Sequence, residues 1–76
     1  MKKEWTYIPI KEVLFSFDLG YYCSFGIEVF EEGVLCMKIS DVSPDECMVS
    51  TLASLCTSEQ LEPIHLYDVI EDFLNG

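Results

Sequence analysis

The stretch VLFSFDLGYYCSFGIEVFEEGVLCMKI, residues 13–39, decides the fold, because alternate positions in it form apolar sets. Val13, Phe15 and Phe17 make the first set, Tyr21, Cys23, Phe25, Ile27 and Val29 the second, and Leu35, Met37 and Ile39 the third. A period of two over this length predicts three strands, each with one face turned to a core. Asp18-Leu19-Gly20 and Glu31-Glu32-Gly33 stand between the sets. Each offers a glycine for the left-handed position of a three-residue hairpin loop. Such loops pair Phe17 with Tyr21, and Phe30 with Val34. Val29 then faces Leu35, Ile27 faces Met37 and Phe25 faces Ile39. Both hairpins turn the same side of the middle strand inward, so loop chemistry and hydrophobic pattern agree on an antiparallel meander.

The opposite side of this sheet carries Leu14, Tyr22, Phe30, Val34 and Cys36 among Ser16, Ser24, Glu28 and Lys38. It is too apolar to face water alone. Residues 5–10, Trp-Thr-Tyr-Ile-Pro-Ile, offer one cover, or an edge strand interrupted at Pro9. A second copy of the chain offers another.

Two helices follow. Ser43-Pro44-Asp45-Glu46 reads as a capping box with proline at the first helical position. Behind it Met48, Val49, Leu52, Ala53, Leu55 and Cys56 form a helical stripe. The second helix is predicted to start at Pro63 and end at Asn75-Gly76. Leu66, Tyr67, Val69, Ile70, Phe73 and Leu74 form its apolar side, and Asp68, Glu71 and Asp72 lie opposite. Acids in the middle and last turns oppose the helix dipole, which points to a basic partner.

The expected architecture is α+β: a three-stranded antiparallel meander, with residues 5–10 as a further edge strand or cover, packed against two C-terminal helices. All 76 residues form one domain, since so short a chain supports a single core. Fourteen acidic against 4 basic residues give a formal charge of −10, which repels nucleic acid and anionic membranes. No apolar run approaches a membrane span, and the start of the chain lacks an apolar signal core, so a cytoplasmic protein is expected. Cys23, Cys36, Cys47 and Cys56 are read as thiols because no pair has metal-ligand spacing. Cys47 stands in a first helical turn, but Asp45 and Glu46 beside it oppose a lowered thiol pKa.

No side chains converge as catalysis requires, so no catalytic residue, metal site or cofactor is expected. His65, Asp68 and Asp72 lack a fourth ligand and a closed shell. The expected function is a non-enzymatic interaction or regulatory module. Its docking residues are Leu14, Tyr22, Phe30 and Val34 on the sheet and Asp68, Glu71 and Asp72 on the helix. The partner is a protein, basic or a second copy. The alternatives are an acidic mimic of DNA, and a small ligand-binding protein or enzyme whose site lies between subunits.

The stretches YYCSFGIEVFEEG, ISDVSPDECMVSTLASLC and EQLEPIHLYDVIEDFL resemble a family of short, uncharacterised bacterial proteins classed as a domain of unknown function. The likeness covers residues 12–74 and is most specific in Phe25-Gly26-Ile27-Glu28-Val29 and in residues 61–74. It implies a small bacterial α+β domain and brings no catalytic residues.

Overall fold

The computed structural model describes residues 4–75, in the order β1 (Trp5–Ser16), β2 (Gly20–Glu31), β3 (Val34–Ser43), α1 (Glu46–Ser58), a 3-10 turn at Pro63–His65 and α2 (Leu66–Asn75). Gly76, expected as the end of the second helix, lies outside the described residues. The sheet is an antiparallel meander in the order β1-β2-β3.

Residues 5–10 are neither a cover nor an interrupted edge: they are the first half of β1, which runs unbroken through Pro9. Pro9 is tolerated because it pairs with Ile27 at a position whose backbone nitrogen points to the free edge. The first hairpin places Ser16 opposite Gly20, Phe15 opposite Tyr21 and Val13 opposite Cys23. This is two residues from the expected register, so every side chain keeps its predicted face. The loop is Phe17-Asp18-Leu19, and Gly20, at φ 72°, stands at its end.

The second hairpin differs more. Glu32 and Gly33 both have positive φ, 53° and 82°, and form a two-residue turn between Glu31 and Val34. Two positive φ values match the right-handed strand twist. A bulge at Cys36 then moves the pairing on, so Val29 faces Met37 and Ile27 faces Ile39, with Leu35 opposite Phe30. Met37 and Ile39 thereby keep the core-facing side, while Leu35 loses it. A second irregularity leaves Gly26 unpaired in β3 and puts Phe25 opposite Ser43.

Ser43 is therefore a buried strand residue and not a helix cap. Asp45 caps α1 instead, accepting from Met48 N at 3.2 Å, while Ser43 Oγ accepts from Asp45 N at 3.1 Å. Pro63 opens the 3-10 turn, and the second helix proper starts three residues later than predicted.

The core gathers Tyr7, Ile27 and Val29 from the sheet, Val49, Leu52, Ala53 and Cys56 from α1, and Leu66 and Ile70 from α2. Its extent follows from element lengths. Twelve-residue strands span about 40 Å. The 13 residues of α1 span about 20 Å. Helices of that length cover half of the sheet. The molecule is accordingly 47 Å long, with a radius of gyration of 12.9 Å, where a compact chain of this length has about 11 Å.

Candidate functional site on an overhanging hairpin

Beyond Phe25 the sheet has two strands, because β3 ends at Ser43. Residues 13–23 form an arm whose core-facing side the helices leave exposed, while Phe25 still packs against the core. Val13, Phe15, Phe17, Tyr21 and Cys23, expected in the core, lie exposed on its helix-facing side. Their exposure is 66% for Val13, 58% for Phe15, 99% for Phe17 and 79% for Tyr21. The rings form a cluster: Phe15 meets Phe17 edge-on with centroids 5.6 Å apart and lies 5.2 Å from Tyr21. The exposure has a simple cause. The alternation identifies the face, but the missing length of helix leaves it open.

Leu14 and Tyr22 pair across the other side of the arm, both half-buried. Phe30 is half-buried near the far end of the sheet, and Val34 is exposed beside the turn. These four residues therefore do not make one surface. Between the two ends lies a polar strip built around Gly26. A Cβ there would collide with the Ile39 carbonyl and stand 2.8 Å from Glu12 Oε1.

Glu12 uses that space. Its Oε1 accepts from Asp41 N at 3.0 Å, its Oε2 accepts from Ser40 Oγ at 3.0 Å, and Lys38 Nζ lies 3.6 Å away. Asp41, at φ 56°, accepts from Ser24 Oγ at 2.6 Å and Tyr22 OH at 2.9 Å. Donation from the Asp41 amide, with help from Ser40 and Lys38, lowers the Glu12 pKa. The hydroxyls of Ser24 and then Tyr22 lower that of Asp41, and bonding to Asp41 raises that of Tyr22. Each group is thereby held in its neutral-pH form, the opposite of what proton exchange near neutrality needs. Nothing in the alternation of the strands brings Glu12, Ser24 and Asp41 together. Gly26 inside a strand was the available signal, since such a glycine marks a bulge or a close approach.

Asp68, Glu71 and Asp72 are exposed on α2. Asp68 belongs to the first turn, where an acid complements the dipole, so the expected opposition is confined to the later two. His65 lies in the 3-10 turn ahead of α2. Among the described residues no three His, Cys, Asp or Glu side chains are grouped to hold a metal ion. The four cysteines are free, with Cys56 buried and the others exposed. A shallow groove of about 340 Å³ runs between Leu55, Cys56, Glu59, Leu61 and Val69. Among the described residues no helix is long and apolar enough to cross a membrane.

Compared with curated proteins and with solved structures, the chain matches none. A family model does match, over residues 1–76, and thus extends past the likeness seen in residues 12–74. The chain belongs to DUF6514, a family of unknown function.

Proposed function

We propose that this chain is a non-enzymatic protein-interaction module of the bacterial cytoplasm that docks through the overhanging hairpin. The observation that carries this reading is the aromatic cluster of Phe15, Phe17 and Tyr21, exposed with Val13 and Cys23 on an arm without cover. Contiguous exposed apolar surface of this kind marks an interaction site. A few residues carry most of the binding energy at such sites, and aromatic side chains are enriched among them.

The acidic remainder of the molecule has a different use. A charge of −10 hinders approach by other acidic surfaces and speeds encounter with basic ones. Asp68, Glu71 and Asp72 add to this steering, while Leu14 and Tyr22 extend the apolar contact to the second side of the arm.

The reading is tested by capturing partners from the native cell with wild type and with a Phe15→Ser/Phe17→Ser/Tyr21→Ser variant whose melting transition is retained. A partner lost from the variant and kept by Asp68→Lys/Glu71→Lys/Asp72→Lys supports docking through the arm. An identical set of partners with the arm variant overturns it.

A further inference from the structure

The backbone edge of β1 is closed at one end and open at the other. The Trp5 amide donates to Gln60 Oε1 and Gln60 Nε2 donates to the Trp5 carbonyl, both at 2.9 Å. The Tyr7 amide donates to Thr57 Oγ1 at 2.9 Å, and that hydroxyl donates to the Tyr7 carbonyl at 3.4 Å. These bonds show which way the odd-numbered residues of β1 direct their backbone groups. The pairing with β2 is regular along the whole strand, so Pro9, Lys11, Val13 and Phe15 direct theirs to the same free edge. Pro9 has no N–H to offer. No group among the described residues bonds to the outward N–H and C=O of Lys11, Val13 and Phe15. Native proteins normally blunt such an edge. Here Gln60, just past the end of α1, blunts it at Trp5 and Thr57 of α1 blunts it at Tyr7.

Resting on the reading of the arm as a docking surface, we infer that the arm's partner is a second copy of this chain, paired antiparallel through the edge of β1 about a two-fold axis at Val13. The open, self-complementary edge is what a second copy can complete, and register and local charge select one alignment of the two. Centred on Val13, the amide and carbonyl of Val13 bond to the same residue of the other copy, and Lys11 bonds to Phe15 on each side, giving three reciprocal pairs. Centring on Lys11 sets like charges together and calls on Pro9 and the already bonded Tyr7. Centring on Glu12 opposes two carboxylates. Centring on Leu14 carries Lys11 past the end of the facing strand and forfeits a pair.

The Val13 register has further consequences. Lys11 lies beside Phe15 of the other copy, a cation over a ring. Glu12 faces Leu14, and Asp18 at the tip lies at the level of Ile8, so no two acids are opposed. Residues 11–17 carry one Lys and one Glu in a chain of charge −10. The contact therefore places no net charge of its own between the two chains. Phe17 arrives opposite Pro9, next to the Tyr7 backbone that Thr57 of α1 holds, so each aromatic tip reaches the helix layer of the other copy.

Sedimentation equilibrium from micromolar to millimolar chain, on wild type and Val13→Pro, tests the inference. Pro9 shows that β1 carries a proline at an outward position, so the variant folds while losing the two central bonds. The expected result is a wild-type dimer whose dissociation constant rises about tenfold or more in Val13→Pro. With Cys23→Ser, Cys36→Ser and Cys47→Ser in place, Val13→Cys should form an oxidised dimer, because facing Cα atoms are about 5.5 Å apart. Lys11→Cys should not. A wild type that stays monomeric overturns the inference and leaves the arm reading to its own capture experiment. A dimer indifferent to Val13→Pro but abolished by Phe15→Ser/Phe17→Ser overturns edge pairing and retains the arm.

Discussion

Gln60 binds the backbone of Trp5 with both ends of its amide, taking the Trp5 N–H and giving a proton to the Trp5 carbonyl, each at 2.9 Å. A side chain thus stands where a fourth strand would pair. Gln60→Ala should lower stability by about 1–3 kcal/mol, as these two hydrogen bonds and a third, from Gln60 Nε2 to the Thr57 carbonyl at 2.8 Å, are lost. Urea denaturation measures this. The uncovered edge should also raise light scattering on heating relative to wild type.

Gly26 and Glu12 occupy the same space on opposite terms, since the carboxylate fills what a Cβ would need. Gly26→Ala forces the β3 backbone at Ile39 to move. The expected loss is about 1–3 kcal/mol, the range for overpacking a tight site, read by denaturation. Glu12→Ala in the same chain should recover little, because the Ile39 carbonyl remains in the way.

Acid should weaken the bulge. Glu12 and Asp41 have folded pKa values below their ordinary 4.5 and 3.8, for the reasons already given. A lowered folded pKa means that their contribution is present above those ordinary values and disappears as pH falls through the folded ones. Midpoints of unfolding should therefore drop on titration from pH 5 towards pH 2. Glu12→Gln/Asp41→Asn should show a shallower dependence.

Tyr7 gives the opposite limb. Burial, more than any neighbouring charge, pushes its phenol up to about 12 from 10.0. Its hydroxyl also donates to the Leu61 carbonyl. A raised folded pKa keeps the contribution below pH 10 and removes it as pH climbs towards 12. Tyr7→Phe should cost about 1 kcal/mol at neutral pH. It should also flatten the decline between pH 10 and 12, followed by far-UV circular dichroism.

Period-two alternation was enough to assign the faces of β1, β2 and most of β3, because a register error of two residues leaves parity intact. It did not place the turns. Gly20 takes the expected positive φ but pairs with Ser16, and Glu32 accepts a left-handed conformation usually left to glycine or asparagine. The cap moved from Ser43 to Asp45 because strand pairing with Phe25 holds Ser43 first. The arm was harder to see. Val13, Phe15 and Tyr21 read as core residues in any pattern, and only the ratio of strand length to helix length shows that nothing is left to bury them. The cluster of Glu12, Ser24 and Asp41 depends on a bulge that brings residues 17 and 29 positions apart together.

Where β3 stops, the mechanical support of β1 and β2 stops with it. A two-stranded ribbon in water is marginally stable by itself, so residues 14–22 should open without the rest of the molecule unfolding. Amide protection would then grade along each strand, high at Tyr7 and Val29 and low towards Phe17 and Leu19. Whatever grips the arm must also still it, and the ordering entropy is subtracted from the affinity that so many aromatic rings promise. Dissociation would stay rapid, and exchange with competing occupants would be set by the closing of the ribbon.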